Sequence, residues 1–256
     1  MALVWRSLAS LPLDGTIAPR VVSPEMRQTR HPGRGLEKAR ELERYFRVLH
    51  DHFGPQRWWP ARTRLEVILG AILTQNTSWR NAQLALRELH QAGLLHQSAL
   101  ILIPARKLAR TIRPAGFFRQ KARTIHGFLK WLGIHCHGSL NNLFAMPPED
   151  ARKALLTVHG IGPETADTIL LYAGKHPFFV ADAYTRRVLS RHEMIPKNSG
   201  YSATQEFLHQ HLKRDHLLYN EYHALIVEVG KNYCVKSAPK CCNCPLQQFL
   251  PSDAPA

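Results

Sequence analysis

Apolar residues recur at spacings of three and four along almost the whole chain after residue 35. Leu65, Ile68 and Ile72 show this period clearly, and it is typical of amphipathic helices. No stretch alternates apolar and polar residues as a half-buried strand does, so we predict an all-α fold. Glycine, proline or asparagine separates the predicted helices, which include 81–91, 105–113, 119–131, 148–158, 163–173, 183–192, 203–211 and 217–231.

The charge of the chain points to a polyanionic partner. Lysine and arginine number 34 against 19 aspartate and glutamate residues, which gives a net charge of +15 over 256 residues. Nucleic acid fits this excess better than a membrane, because no apolar run approaches the roughly 20 residues that span a bilayer. The alternative is a basic protein without such a partner. The N-terminus carries Arg6 within a weak apolar stretch and shows no clear cleavage site, so we expect a cytoplasmic protein, and a monomer.

The chain divides into three parts by composition. Residues 1–35 mix proline, glycine, serine and arginine without apolar periodicity, which predicts a disordered basic arm with nonspecific affinity for nucleic acid. Residues 36–250 carry the helical pattern and form the folded domain, and 251–256 are a short tail.

Two glycines, Gly160 and Gly162, separate a predicted helix from a second one that starts with Pro163. A helix, a Gly-Ile-Gly turn and a following helix expose backbone N–H groups and a helix N-terminus. These groups bind phosphate without reading base sequence. The alternative is an ordinary connecting turn.

Asp182 follows a short apolar run and precedes a predicted helix. Aspartate is a preferred N-cap, so capping alone explains a single residue at this place. A carboxylate here can also stabilise an oxocarbenium-like sugar and orient water toward C1′ while a base departs. The two roles are compatible.

Several motifs follow one another along the chain: LTQNT at 73–77, GFFRQKA at 116–122, GIG at 160–162, VAD at 180–182 and Cys-x6-Cys-x2-Cys from residue 234. Their order resembles the endonuclease III family of helix-hairpin-helix DNA glycosylases over about residues 36–250. The resemblance implies two α-helical lobes with damaged double-stranded DNA and a flipped nucleotide held between them. It also implies that Asp182 is the catalytic aspartate.

Glu164 departs from part of that family. Bifunctional members place a lysine two residues after the second hairpin glycine, where its amine attacks C1′ and forms a Schiff base. A carboxylate cannot form a Schiff base, so we predict a monofunctional glycosylase that leaves an abasic site.

Trp58 and Trp59 suggest the substrate. Two large aromatic faces can sandwich an extruded base, and a base alkylated at a ring nitrogen carries a positive charge that such faces attract. Together with the other motifs the pair resembles most closely the 3-methyladenine DNA glycosylase branch, which implies release of alkylated purines. If the tryptophans only pack onto the core, a glycosylase for oxidised pyrimidines becomes the alternative. A catalytically silent DNA-damage-binding protein is a further one.

The resemblance also assigns contacts with the DNA. Gln75 is expected to fill the space left by the flipped nucleotide, and Phe117 to wedge into the base stack. Arg119 and Lys121 are expected near phosphates, with a solvated helix face as the alternative. We expect Lys231 to be a surface lysine near a helix C-terminus, with a place at the floor of the cleft as the alternative.

A cysteine loop, residues 234–250, carries an incomplete ligand set. Relatives in the family hold a [4Fe–4S] cluster with four cysteines, and Cys234, Cys241 and Cys244 match the first three positions. Leu250 stands at the fourth and cannot bind iron. The alternatives are a cluster with an unusual fourth ligand, a zinc ion, or a loop that has lost its metal; a DNA-binding redox sensor is the corresponding function. Cys136 is expected to be a packed thiol.

Overall fold

The computed structural model describes residues 32–251 with the exception of residue 60. Regular structure in this part of the chain is entirely helical, which confirms the all-α prediction. No helix within it is long and apolar enough to cross a membrane. The α-helices are α1 (Pro32–Phe53), α2 (Arg64–Thr74), α3 (Trp79–Gln91), α4 (Gln97–Leu102), α5 (Ala105–Thr111), α6 (Phe118–Cys136), α7 (Leu140–Ala145), α8 (Pro148–Leu156), α9 (Pro163–Tyr172), α10 (Ala183–Arg191), α11 (Tyr201–His211) and α12 (His216–Asn232).

Two features of the helices differ from the prediction. The predicted disordered arm is too long, because α1 already begins at Pro32. A proline fits the first turn of a helix, where its missing N–H has no partner to lose. Residues 1–31 of that arm, and 252–256 of the predicted tail, lie outside the described residues. Helices α4 and α7 were not predicted, because six residues are too few to show a helical period.

The buried side chains form two hydrophobic clusters. The first is built by α2 to α9 and includes Ile68 and Phe128, and the second is built mainly by α1 and α10 to α12 and includes Tyr222. Helix α9 belongs to both, since Leu170 is buried in the first cluster and Leu171 in the second. The helix that follows the Gly-Ile-Gly turn therefore lies where the two clusters meet.

A buried carboxylate network fixes the orientation of α8 and α9. Asp167 of α9 is fully buried and accepts hydrogen bonds from Arg152 Nε at 2.6 Å and Nη2 at 3.1 Å. Tyr201 Oη and Gln205 Nε2 of α11 donate to the same carboxylate, both at 2.8 Å. A buried charge is stable only when it is paired and hydrogen-bonded, as here. The network therefore joins α8 and α9, the two helices that flank the Gly-Ile-Gly turn, to α11 of the second cluster.

Candidate active site

A cavity of about 490 Å³ opens between the two clusters. The ends of α2 and α12 and the starts of α9 and α10 surround it. Its volume is within the range of small-molecule pockets and is ample for one nucleobase. Of the predicted site residues Trp58, Trp59, Gln75, Glu164 and Asp182 line it, together with Trp79, Thr168, Tyr184, His223, Val227 and Lys231.

Asp182 presents an ionised carboxylate to this cavity. Its Oδ1 accepts a hydrogen bond from the Thr185 N–H at 2.8 Å, so the residue is the N-cap of α10. Its Oδ2 lies 3.5 Å from Nε2 of His223. Burial by itself raises the pKa of Asp182, but the nearby ring nitrogen and charge of His223 and the hydrogen bonds of Thr185 outweigh it, so the pKa lies below its ordinary value. Capping and a role in the cavity therefore coexist in one side chain.

Glu164 is the second residue of α9 and lines the same cavity as Asp182. Partial burial, and then the negative charge of Asp182, raise the pKa of Glu164 above its ordinary value. The cavity thus holds a second carboxyl group where a nucleophilic amine would be needed for covalent chemistry.

Lys231 reaches the rim of the cavity. It lies in the last turn of α12, as predicted for a surface lysine, and its Nζ is 3.0 Å from Glu228 Oε1. The same Nζ lies 5.2 Å from the centroid of the Trp58 ring, within the range of a cation–π contact. Its ammonium is therefore already engaged by two groups.

Three tryptophans form one wall of the cavity. The centroid of the Trp59 ring lies 4.8 Å from that of Trp79 and 5.2 Å from that of Tyr172, while Trp58 is 5.6 Å from Trp79. A Cβ added at Gly70 would lie 2.9 Å from the Trp59 ring, so Trp59 rests directly on α2. Trp59 therefore combines both predicted roles, core packing and cavity lining. Trp79 was not predicted, although it follows the predicted Gln75 by only four residues.

Gln75 lines the cavity, whereas Phe117 lies outside it. Gln75 follows the last residue of α2, and its Nε2 donates to the Gly160 carbonyl and to Thr165 Oγ1, both at 2.8 Å. Phe117 lies outside the cavity, is 63% exposed and precedes α6 in a left-handed conformation with φ of 44°. A large apolar side chain held exposed at a strained position is typical of a contact surface.

The position of the Lys121 side chain contradicts the predicted contact of this residue with phosphate. Its side chain is buried, and its Nζ donates to the carbonyls of Leu73 at 2.9 Å and Ala115 at 2.7 Å. Desolvation lowers the pKa of Lys121 to about 8. Residues two apart on a helix do not share a face, so Arg119 is exposed while Lys121 ties α6 to the end of α2. The sequence pattern of basic residues alone did not distinguish these two faces.

The turn between α8 and α9 places its two glycines in different surroundings. Gly160 has φ of +86°, and a Cβ added there would lie 2.1 Å from Thr124 Oγ1. Gly162 has φ of −92° and precedes α9, and an added Cβ would meet no protein atom within 4 Å. Both residues are exposed, and no side chain caps α9. The positive φ and the contact with Thr124 require a glycine at position 160. Neither the backbone conformation nor the surrounding protein atoms require one at position 162.

The cysteine loop does not fit a [4Fe–4S] cluster. Cys234, Cys241, Cys244 and Leu250 surround a cavity of about 20 Å³, which is room for about one water molecule. Among the described residues no three histidine, cysteine or acidic side chains are arranged to hold a metal ion. A cubane cluster needs four ligands and more space than this cavity provides. Cys136 is buried, as predicted for a packed thiol.

Arginines of α10 hold the cysteine loop in place. Arg187 Nε donates to the Cys234 carbonyl at 2.6 Å, and Arg191 Nη1 donates to the Val235 carbonyl at 2.7 Å. Arg191 Nη1 also lies 3.3 Å from Cys234 Sγ. Hydrogen bonds to backbone carbonyls thus supply local order to this loop.

Comparison with known proteins gives one consistent result. Residues 69–214 match the HhH-GPD superfamily of base excision DNA repair proteins. A Methanocaldococcus jannaschii protein provisionally named a DNA repair glycosylase is 41% identical over 215 residues, 83% of this chain and 96% of that protein. The H. pylori 3-methyladenine DNA glycosylase MagIII, solved with 1,N6-ethenoadenine, has a TM-score of 0.64 at 27% identity and covers 77% of this chain and 97% of its own. A trapped endonuclease III–DNA intermediate has a TM-score of 0.72 at 19% identity and covers 83% and 95%, which supports the fold alone.

Proposed function

The chain belongs to the HhH-GPD superfamily of base excision DNA repair proteins, and we propose that within this superfamily it is a monofunctional DNA glycosylase for alkylated purines. One observation carries the proposal. The same cavity combines a wall of tryptophans, a single ionised aspartate and a glutamate at the position of the lysine nucleophile. The similarity to a 3-methyladenine DNA glycosylase at 27% identity agrees with it.

The cavity suits a base that is already activated to leave. A purine alkylated at a ring nitrogen carries a positive charge, which aromatic faces attract by roughly 0.5–2 kcal/mol. When the C1′–N bond breaks, the bonding electrons go to the base, which departs neutral. The Asp182 carboxylate stabilises the positive charge that develops on the sugar and orients the water that adds to C1′. Such a substrate needs no strong general acid.

The absence of a lyase step follows from Glu164. A Schiff base with the opened sugar requires an amine close to C1′, and a carboxylate cannot form it. Lys231 also lines the cavity, but its Nζ is paired with Glu228 and lies over Trp58. The product is therefore an abasic site in an unbroken strand.

The remaining predicted residues would hold the DNA. The exposed N-terminus of α9, with Gly160 and Gly162, offers N–H groups to a phosphate. Gln75 would enter the space left by the flipped nucleotide, and Phe117 would insert beside it. Arg119 lines a surface cavity with Arg106, Arg110 and Arg123, and this concentration of positive charge supports a contact with phosphate here.

Exchanging each hairpin glycine for alanine separates DNA binding from folding. Gly160→Ala is expected to lower the free energy of unfolding by about 1–3 kcal/mol, because a side chain at φ of +86° is strained and meets Thr124. Gly162→Ala should leave unfolding in urea unchanged but weaken binding to a duplex with an abasic-site analogue roughly tenfold, because its Cβ displaces the phosphate. Fluorescence anisotropy at fixed salt measures the second effect. Unchanged binding by Gly162→Ala would remove the hairpin from the DNA interface.

Base release from a set of duplexes tests the proposed function. Duplexes containing 3-methyladenine, 7-methylguanine, an oxidised pyrimidine or uracil are incubated with the protein, and strands are analysed with and without alkali. We expect breaks only with alkali and only for the methylated purines. Release of the oxidised pyrimidine alone would establish the alternative glycosylase, and tight binding without release of any base would indicate a silent DNA-damage-binding protein.

A further inference from the structure

We propose that Tyr172 and His223 form a hydrogen-bond relay that positions the carboxylate of Asp182 and keeps it ionised. The inference rests on the proposed function, since it assigns two positioning residues to the glycosylase site. Tyr172 is the last residue of α9, His223 lies in α12 and Asp182 caps α10. Three helices thus contribute one group each to a single line of polar atoms beneath the cavity.

The first link joins Tyr172 to His223. The Tyr172 hydroxyl lies within hydrogen-bond distance of His223 Nδ1, and within the described chain it has no other partner. Burial, and then the negative charges of Asp182 and Glu221, raise the pKa of Tyr172 well above its ordinary value, so the hydroxyl keeps its proton. A buried O–H must find an acceptor, and Nδ1 of His223 is the one that the described part of the chain supplies.

The direction of this bond fixes the tautomer of His223. A neutral imidazole has one N–H and one acceptor nitrogen. With Nδ1 accepting from Tyr172, the neutral ring carries its proton on Nε2, and a protonated ring carries one there as well. This nitrogen is the one that faces Asp182, so the phenol orients a donor toward the carboxylate.

The second link, between His223 and Asp182, is longer than an ordinary hydrogen bond. His223 Nε2 lies 3.5 Å from Asp182 Oδ2, at the outer limit of a hydrogen bond. The same Nε2 is buried and has no hydrogen-bond partner among the residues that the structure describes. Leaving a buried N–H without a partner is unfavourable, and bonds of this kind often shorten when the substrate is bound. Asp182 is the acceptor that completes it.

Titratable groups of three helices lie close to Asp182. Burial disfavours the Asp182 carboxylate, whereas His223 of α12 favours it. Burial and then the negative charge of Asp182 raise the pKa of Glu164 in α9, while the guanidinium of Arg186 in α10 lowers it. Without the His223 donor the pKa of Asp182 is therefore expected to rise, and the ionised form is lost at a higher pH than in the native protein.

Two substitutions at one position separate the hydrogen bond from packing. His223→Phe keeps an aromatic ring between Tyr172 and Phe179 but removes the donor, whereas His223→Gln can place an amide N–H where Nε2 was. Carbon-13 NMR of labelled aspartate carboxyls, with the Asp182 signal assigned by Asp182→Asn, reports its titration without DNA. We expect the midpoint to move upward by about one pH unit in His223→Phe and to stay near the native value in His223→Gln.

The pH dependence of base release supplies a second readout. In single turnovers with a methylated-purine duplex, the acidic limb of the rate profile should move upward in His223→Phe by the same interval, so that the rate falls by up to about tenfold at pH values below the shifted midpoint and stays near the native rate at neutral pH. Tyr172→Phe should give a smaller change in the same direction. It removes only the hydrogen bond that keeps the proton of the His223 ring on Nε2, and the ring itself stays in place.

The outcomes distinguish the relay from the proposed function. An unchanged Asp182 titration in His223→Phe, with native circular dichroism, would overturn the relay. Equal upward shifts in His223→Phe and His223→Gln would also overturn it, because only packing would then matter. If the native protein releases no base from any duplex, the proposed function fails, while the carboxyl titration still decides the relay.

Discussion

Replacing Asp182 by asparagine is expected to lower the rate of base release roughly 10²- to 10⁴-fold while the protein stays folded. Asparagine is as good an N-cap as aspartate, so the bond from the Thr185 N–H to this side chain can persist. What the variant loses is the negative charge that faces the developing sugar cation. Single-turnover release of a methylated purine, alongside thermal unfolding, measures both quantities.

Asp215 provides a matched control. It is also an N-cap aspartate, at the start of α12, where its Oδ1 accepts from the N–H groups of Leu217 and Leu218. It does not line the cavity. Asp215→Asn should therefore release base at the native rate. If Asp182→Asn were as active as Asp215→Asn, Asp182 would be a helix cap and nothing more.

Changing Glu164 to lysine is expected to create a lyase activity that the native protein lacks. Glu164 and Asp182 line the same cavity, so an amine on this side chain can reach C1′ of a flipped nucleotide. The variant should cut the damaged strand without alkali, and borohydride should trap it covalently on the DNA. Denaturing gels show both products directly.

Glu164→Gln is the control for this gain of activity. It removes the charge without adding an amine, so it should leave abasic sites intact and form no covalent product. Because the negative charge beside Asp182 is also lost, the pKa of Asp182 should not rise in this variant. A Glu164→Lys protein that neither nicks nor cross-links would show that this position does not reach the sugar.

Much of the fold could be predicted because its helices are long and amphipathic. Helices such as α3 and α6 show the three-to-four period over more than ten residues. The short helices α4 and α7 do not, and the start of α1 was hidden by a proline and glycines. Which helix pairs with which depends on long-range packing, such as that of α9 between two clusters, and no local pattern reports it.

The site was only partly predictable for a similar reason. Asp182, Glu164 and Gln75 stand next to turns, where motifs are visible, and the structure brings all three to one cavity. His223 lies within a mostly apolar helix, and this sequence context predicts a residue of the hydrophobic core. Only the structure shows that His223 lies close to Asp182. Lys121 shows the opposite error, because a lysine in a basic stretch proved to be buried.

A crystal structure of Asp182→Asn bound to a duplex containing 1,N6-ethenoadenine, the modified base seen with the H. pylori enzyme, tests most directly whether this cavity is the active site. We predict that the modified base lies outside the helix, against Trp58, Trp59 and Trp79, with its C1′ beside residue 182. The phosphate backbone should contact the turn that holds Gly162. A base still stacked in the duplex, or DNA bound across another face with the cavity empty, would contradict this assignment.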